Sequence, residues 1–529
     1  MKFLSILVRP FKENFYLLIW TFVFSAIVDM YSYTIVDSVA KSAYVALHHF
    51  GVCYILVFFA GLFKGIYKRV YICGVGFLLA LNLIIDSVCL FCYNYIFSSD
   101  MAAIIKCTNM QEAKEYFNTY VSPILLFGVC AVLCLFVIAY LLLKKLRPQI
   151  GGIFVPAFLA MLTIAALFGT IIQGSNNWGN VSVTKLYQLL KSEAPPSLEE
   201  YFTNPSLLVE NDSVSNDIVL IIGESLSKSH MSLYGYDKET NPLLSKLQND
   251  SLLLVFENVL TPELSTITTF KCIMSTYKPE YNDDINWYEC TTLLEVMSLA
   301  GYKTAWMSNQ SAYGIYDNVI TKYAELADTT IFVGNRFSGS FKNDLDELLL
   351  DIEADEVHQS SQKRFHIIHM MGSHPAFNMR YPENYSRFQE EDYEALPAHQ
   401  RKTVAEYDNS VLYNDSVVCE LMNRYKDKSA VVIYMSDHSI DIYEGTDSYV
   451  GHALRNSAKS VEVSSKIPFM IYVTPQFASN NAELFKRMKM SIGKDFRTDD
   501  IIYTIMDIAG VRFEENNDVE TYSLIKGHS

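Results

Sequence analysis

The run Asp217-Ile-Val-Leu-Ile-Ile-Gly-Glu-Ser225 decides the fold of the larger part of this chain. Five apolar, mostly β-branched residues predict a short strand, and the strand ends in a glycine, a carboxylate and a hydroxyl. Similar apolar runs recur at 304–307, 365–370, 430–435 and 468–473, with helical patterns between them. Short branched runs alternating with helices predict an α/β domain with a largely parallel central sheet. Four of the runs lead into residues able to bind metal or phosphate: Gly223-Glu224-Ser225, Ser308-Asn309-Gln310, Gly372-Ser373-His374 and Ser436-Asp437-His438. Ligands of open α/β sheets bind beyond the carboxyl ends of the strands, so four polar endings on one edge predict one site.

Glu224, Asp437 and His438 together offer two carboxylates and an imidazole, a donor set that suits zinc once a fourth donor completes a tetrahedron. An Asp-His pair after a single strand is more often a cap for the next helix; Glu224 at the end of another strand tells against that reading. The hydroxyl cluster Ser265-Thr266-Ile267-Thr268-Thr269 follows the apolar run 252–256 and Pro262. A hydroxyl deprotonated beside a metal can attack phosphorus. Ordinary helix capping by serine or threonine is the competing reading. A nucleophile at a helix start would use both properties, because the helix N-terminus also stabilises phosphate charge. Asn309 and Gln310, on a neighbouring ending, are candidate substrate contacts.

Upstream of this domain the composition changes. Half of the 529 residues are hydrophobic, and the apolar stretches 15–33, 43–63, 71–97, 121–143 and 153–172 are each long enough, or nearly so, to cross roughly 30 Å of hydrocarbon. Residues 1–14 mix charges with Pro10 and lead to no small-residue cleavage site, so all five spans are expected to be retained. The N-terminal segment and the second and fourth connections carry nine Lys and Arg, against Lys41, Lys106 and Lys114 on the first and third. That asymmetry places the N-terminus in the cytoplasm, and five spans then put everything after Ile172 outside. Residues 1–173 hold 12 basic and 7 acidic side chains and the remainder 30 and 51, which argues against a nucleic-acid partner. Asp29 and Asp86 fall inside spans, where a carboxylate either serves a function or faces other helices.

The stretch 174–215, polar and interrupted by Pro195, Pro196 and Pro205, reads as a linker along the membrane surface with a short helix at 181–192. Seven of the ten cysteines lie in or between the spans; of Cys272, Cys290 and Cys419, proximity makes Cys272–Cys290 the expected disulfide. The expected organisation is a five-helix transmembrane domain at 1–173, the linker at 174–215 and an outward catalytic domain at 216–529.

GESLSKSHMSLYGYDKETNP (223–242), the 256–276 segment with Ser-Thr-Ile at its centre, AGYKTAWMSNQ (300–310), HMMGSHPAFNMRYPENY (369–385), YDNSVLYND (407–415) and SDH (436–438) together resemble the phosphoethanolamine transferases, in order and over nearly the whole chain. AGYKTAWMSNQ and Thr266-Ile267 look most like the branch that decorates the lipopolysaccharide core. The resemblance implies a five-span enzyme of the bacterial inner membrane with an alkaline-phosphatase-like periplasmic domain. It implies that Glu224, Thr266, Asp437 and His438 bind zinc and that Thr266 is also the nucleophile, standing six residues before Cys272 as the family nucleophile stands before a matching cysteine; Thr268 is the second choice. It further implies that His374 and His452 touch the phosphate or protonate the leaving group, and that Asn109 and Glu112 in the third connection help to hold the lipid donor. Phosphoethanolamine would pass from phosphatidylethanolamine, through a phosphothreonine-type intermediate, to a lipopolysaccharide acceptor in lipid A or the core.

The chain departs from the family pattern after Asp437-His438, where Ser439 and Ile440 replace the usual Gly-Glu and leave open whether Asp441 takes the glutamate's place. No Lys or Arg occurs at 311–316, where the lipid A branch has a basic residue. The alternatives are a phosphodiesterase or glycerol-phosphate transferase on the same scaffold, or a membrane binding module whose catalysis has decayed. Sulfatase activity is disfavoured because no Cys-x-Pro-x-Arg pattern surrounds Thr266.

Overall fold

The computed structural model describes residues 2–36, 39–93, 97, 117, 121–146, 152–172, 197–209, 217–280, 285–310, 319–333, 345–357, 363–445, 450–452 and 457–526. It divides into two compact units, Met1–Glu193 and Ala194–Ser529. The first unit is built from helices Phe15–Val36, Val39–Leu62, Gly65–Tyr93, Pro123–Leu146 and Phe154–Ile172. Among the described residues, Ser42–Leu62, Gly65–Phe91 and Pro123–Lys145 are long and apolar enough to cross a membrane, and Phe15–Val28 and Phe154–Phe168 are shorter apolar helices. Trp20 packs in the core of this unit and its indole N–H donates to Phe136 O at 2.9 Å. Large apolar side chains also point outward, Phe127 at 76% and Ile124 at 71% exposure; helices apolar on all sides suit lipid and not water. Asp86 is buried and accepts a hydrogen bond from Asn82, four residues earlier on the same helix. The side chain of Asp29, the expected helix at 181–192, and Asn109 and Glu112 lie outside the described residues.

Seven strands form the main sheet of the second unit: β1 (Asp217–Gly223), β2 (Leu253–Phe256), β3 (Lys303–Ser308), β4 (Thr329–Phe332), β5 (Arg364–His369), β6 (Ala430–Ser436) and β7 (Phe469–Val473). Their order is β2-β7-β6-β1-β5-β3-β4. β6, β1, β5, β3 and β4 run parallel, while β7 is antiparallel to both of its neighbours. Every branched run read from the sequence is a strand of this sheet. Two strands lie outside those runs: β2, an apolar stretch read only as the lead into the hydroxyl cluster, and β4, a Thr-Thr-Ile-Phe edge strand that is short, half polar and only partly buried.

Along β1, Ile218, Leu220 and Ile222 enter one core and Val219 and Ile221 the other. A strand covered on both faces needs a continuous apolar run. Helices Thr266–Ile273, Leu293–Leu299 and Ile501–Ala509 pack into the first core; Leu348–Val357 and Ala398–Asn423 pack into the second. Gly223 pairs with Ser436, Ile222 with His369, and Ser308 with His369, so β6, β1, β5 and β3 end level with one another.

Two expectations are corrected. Part of the stretch read as linker belongs to the second unit: Leu207–Val209 pairs antiparallel with Val511–Phe513, and Leu198 is buried in the first core. Cys272 and Cys290 are both buried and unbonded. Each thiol turns back to the backbone four residues earlier, Cys272 to Thr268 O at 3.4 Å and Cys290 to Asn286 O at 3.8 Å.

Candidate active site

The paired ends of β1 and β6 deliver Glu224, Asp437 and His438 side by side. The ligand atoms of these three residues lie within 4.8 Å of one another and all three are buried. His438 Nδ1 lies 2.8 Å from Ser439 O. A carbonyl there fixes a proton on Nδ1 and makes Nε2 the nitrogen that would give up its proton to bind a metal. That Nε2 is 3.4 Å from Glu224 Oε1 and 3.4 Å from Asp437 Oδ2. Asp437 Oδ1 accepts from Ser225 N at 3.2 Å and His438 N at 2.7 Å, while its buried Oδ2 has no hydrogen-bond partner among the described residues.

Thr266 opens helix Thr266–Ile273, half-buried. Its Oγ1 is 3.1 Å from Glu224 Oε2, 3.3 Å from Oε1 and 3.2 Å from His438 Nε2. The other hydroxyls of the cluster are turned elsewhere. Ser265 Oγ and Thr268 Oγ1 bond to each other at 2.7 Å, and Thr269 Oγ1 donates to Glu263 O. Ser265 is the cap residue but makes no side-chain cap bond.

Burial alone would lift the Glu224 carboxyl, but His438, helped by His374, holds it well below the usual carboxylate range. Asp437 moves the other way, pushed up to about 8 by burial and by the Glu224 charge. Burial lowers His438, yet Asp437 and Glu224 prevail and raise it to about 9. Two buried carboxylates thus compete for one imidazole. A divalent cation relieves that competition, and two carboxylate oxygens, an imidazole nitrogen and a hydroxyl form a set that zinc accepts in four-coordination. Asp437 Oδ2, which faces His438 Nε2 without a hydrogen bond, fits the same role.

The remaining expected residues divide. The His452 ring lies 4.7 Å from the His438 ring, and burial with the His438 charge pushes it down to about 3. His374 acts electrostatically on both Glu224 and His452. His452 thus stands beside His438, and His374 lies close enough to Glu224 and His452 to act on both charges. Gln310 Nε2 donates to Glu224 Oε2 at 3.1 Å and to Met370 O at 3.2 Å. Asn309 is 3% exposed and its amide donates to Asp346 Oδ1 at 2.9 Å. Asp441 is engaged locally: its oxygens accept from Glu444 N, Gly445 N and Ser460 Oγ.

A family model described as sulfatase matches residues 216–511. The phosphoethanolamine transferase EptC of Escherichia coli (strain K12) is 27% identical over 457 residues, which cover 80% of this chain and 77% of that protein. The crystal structure of the C-terminal periplasmic domain of EptC from Escherichia coli, in complex with Zn, has a TM-score of 0.56 at 26% identity, over 63% of this chain and 90% of that one. The integral membrane protein lipooligosaccharide phosphoethanolamine transferase A from Neisseria meningitidis shares the fold over 97% of both chains, with a TM-score of 0.68 at 18% identity. A helical apolar region followed by an alkaline-phosphatase-like α/β domain is therefore the architecture of this chain.

Proposed function

The chain belongs to the sulfatase family, and within it we propose a membrane-anchored, zinc-dependent phosphoethanolamine transferase. The observation that carries this reading is the Thr266 hydroxyl, 3.1 Å from Glu224 and 3.2 Å from His438 at the level ends of β1 and β6. The phosphoethanolamine transferases it resembles, and the zinc in the EptC periplasmic domain, support it. Glu224, Thr266, Asp437 and His438 would hold the zinc, whose positive charge would favour the deprotonated hydroxyl and offset phosphate charge.

Thr266 Oγ attacks the phosphorus of phosphatidylethanolamine, the new O–P bond forms, and the bond to the diacylglycerol oxygen breaks. His374 and His452 flank the phosphate, and one of them protonates the departing oxygen. An oxygen of a lipopolysaccharide acceptor, in lipid A or the core, then attacks the phosphothreonine and Thr266 recovers its proton. Phosphoryl transfer of this kind depends chiefly on positioning and charge stabilisation. Residues 1–173 anchor the enzyme with the N-terminus in the cytoplasm, residues 216–529 work in the periplasm, and Asn109 and Glu112 help to hold the donor.

Intact-mass analysis tests the reading. Wild-type protein incubated with phosphatidylethanolamine vesicles and no acceptor is expected to gain one phosphoethanolamine. Thr266→Ala is expected to gain none and to lose at least about 10³-fold in turnover. Full activity of Thr266→Ala, with no adduct in either protein, overturns the mechanism, and release of free phosphoethanolamine as the main product makes the enzyme a hydrolase.

A further inference from the structure

The loops at the strand ends are held by groups that the reaction itself does not use. Asp346 is 5% exposed, yet its carboxylate accepts three hydrogen bonds: from Met371 N at 2.8 Å, from Gly372 N at 2.8 Å and from Asn309 Nδ2 at 2.9 Å. The Met371-Gly372 turn presses on the backbone of Glu224. Ser373 N donates to Glu224 O at 2.9 Å. Gly372 has φ +53°, and a Cβ there would lie 2.7 Å from both Glu224 N and Glu224 O. Asn309, which shares Asp346 Oδ1 with Met371 N, is followed by Gln310, whose amide donates to Glu224 Oε2 at 3.1 Å and to Met370 O at 3.2 Å. Glu224 is therefore gripped at its backbone by one loop and at its carboxylate by another, and both loops converge on Asp346. Outer hydrogen bonds of this kind set the orientation of a metal-ligating carboxylate.

We propose that Asp346 and Gln310 are positioning residues that hold the Glu224 carboxylate in its ligating orientation. The inference rests on the reading of Glu224 as a zinc ligand. Gln310→Met removes both amide donors at nearly constant volume, and Asp346→Asn sets an amide N–H against a backbone N–H. The full chain in detergent is assayed for melting of the zinc-free form, for zinc affinity by competition with a chromogenic chelator, and for kcat and KM.

Gln310→Met is expected to melt like wild type without zinc, to bind zinc about 10-fold or more weakly, and to lose kcat with KM little changed. Asp346→Asn is expected to weaken zinc binding in the same direction, and the double variant to lose less than the product of the single losses, because both act through one ligand. Wild-type zinc affinity in Gln310→Met and Asp346→Asn overturns the inference, as does a loss of affinity that only follows a fall in zinc-free melting. A wild-type protein that takes up no zinc overturns the functional reading and this inference together; normal zinc uptake by wild type and both variants overturns this inference alone.

Discussion

Thr266 differs from its neighbours in helical phase and not in chemistry. Successive residues of a helix turn by about 100°, so two steps carry Thr268 round to Ser265 and three carry Thr269 to Glu263 O, while Thr266 alone meets Glu224 and His438. Thr268→Val is accordingly expected to keep transfer activity within about threefold of wild type and to cost about 1 kcal/mol of stability through the lost local hydrogen bond. A transfer assay on vesicles alongside Thr266→Ala checks this, and a Thr268→Val enzyme as inactive as Thr266→Ala would move the nucleophile. The hydroxyl cluster was legible in the sequence, and the resemblance chose a residue within it; the phase that separates Thr266 from Thr268 needed the helix itself. Asp346 was not legible at all. It sits in an acidic stretch, Asn343-Asp-Leu-Asp-Glu347, that reads as the solvated start of a helix. Its partners are two backbone N–H groups and an amide 37 residues away in the chain.

Helix Ala398–Asn423 shows why a polar pattern can mislead. Its YDNSVLYND stretch looks like a solvent face, yet Tyr407, Asp408, Asn409, Ser410, Asn414 and Asp415 are all buried. Buried polar groups must be paired, and here the pairs tie down loops. The Tyr407 hydroxyl accepts from Ser227 N at 2.7 Å and donates to Ser225 O at 3.0 Å. Ser410 Oγ donates to Ser373 Oγ at 3.0 Å, and Asp415 accepts from Leu243 N and Leu244 N, each at 2.9 Å. Asp408 takes His230 Nδ1 at 2.6 Å, the Tyr236 hydroxyl at 2.8 Å and the Tyr393 hydroxyl. Burial lowers His230, but Asp408 outweighs it and raises the imidazole above its ordinary 6.5. A histidine raised in the fold keeps a proton that the unfolded chain releases, so its stabilisation is full below pH 6.5 and is lost as pH rises through the folded value. His230→Gln is therefore expected to reduce the unfolding free energy by roughly 3 kcal/mol at low pH and by progressively less as the solution becomes alkaline. Urea titrations across that range check the sign; an equal loss throughout means that the imidazole is neutral in the fold.

At the scale of the whole molecule, what was legible follows from what the solvent demands. Lipid requires long apolar helices, and these stand out as runs; a strand pairing between Leu207–Val209 and Val511–Phe513 joins two three-residue segments about 300 positions apart and leaves no such trace. The side of the membrane on which the site works depends on two further quantities, the count of spans and the sign of the connections. Nine basic residues on the N-terminal segment and the second and fourth connections, against three on the first and third, are expected to orient the chain with its N-terminus inside. The span on which the count turns is Phe154–Ile172, whose 19 residues reach about 28 Å at 1.5 Å each, just short of the hydrocarbon core. An alkaline-phosphatase reporter fused after Ser529 is expected to be active and a green fluorescent protein at the same point dark. Deleting 153–172 leaves four spans and is expected to reverse both signals. A fluorescent fusion on the intact chain would place the catalytic unit in the cytoplasm, away from an acceptor on the outer face of the membrane, whereas unchanged signals after the deletion would mean that this helix does not cross and that the remaining four spans leave both termini outside, against the positive-inside orientation.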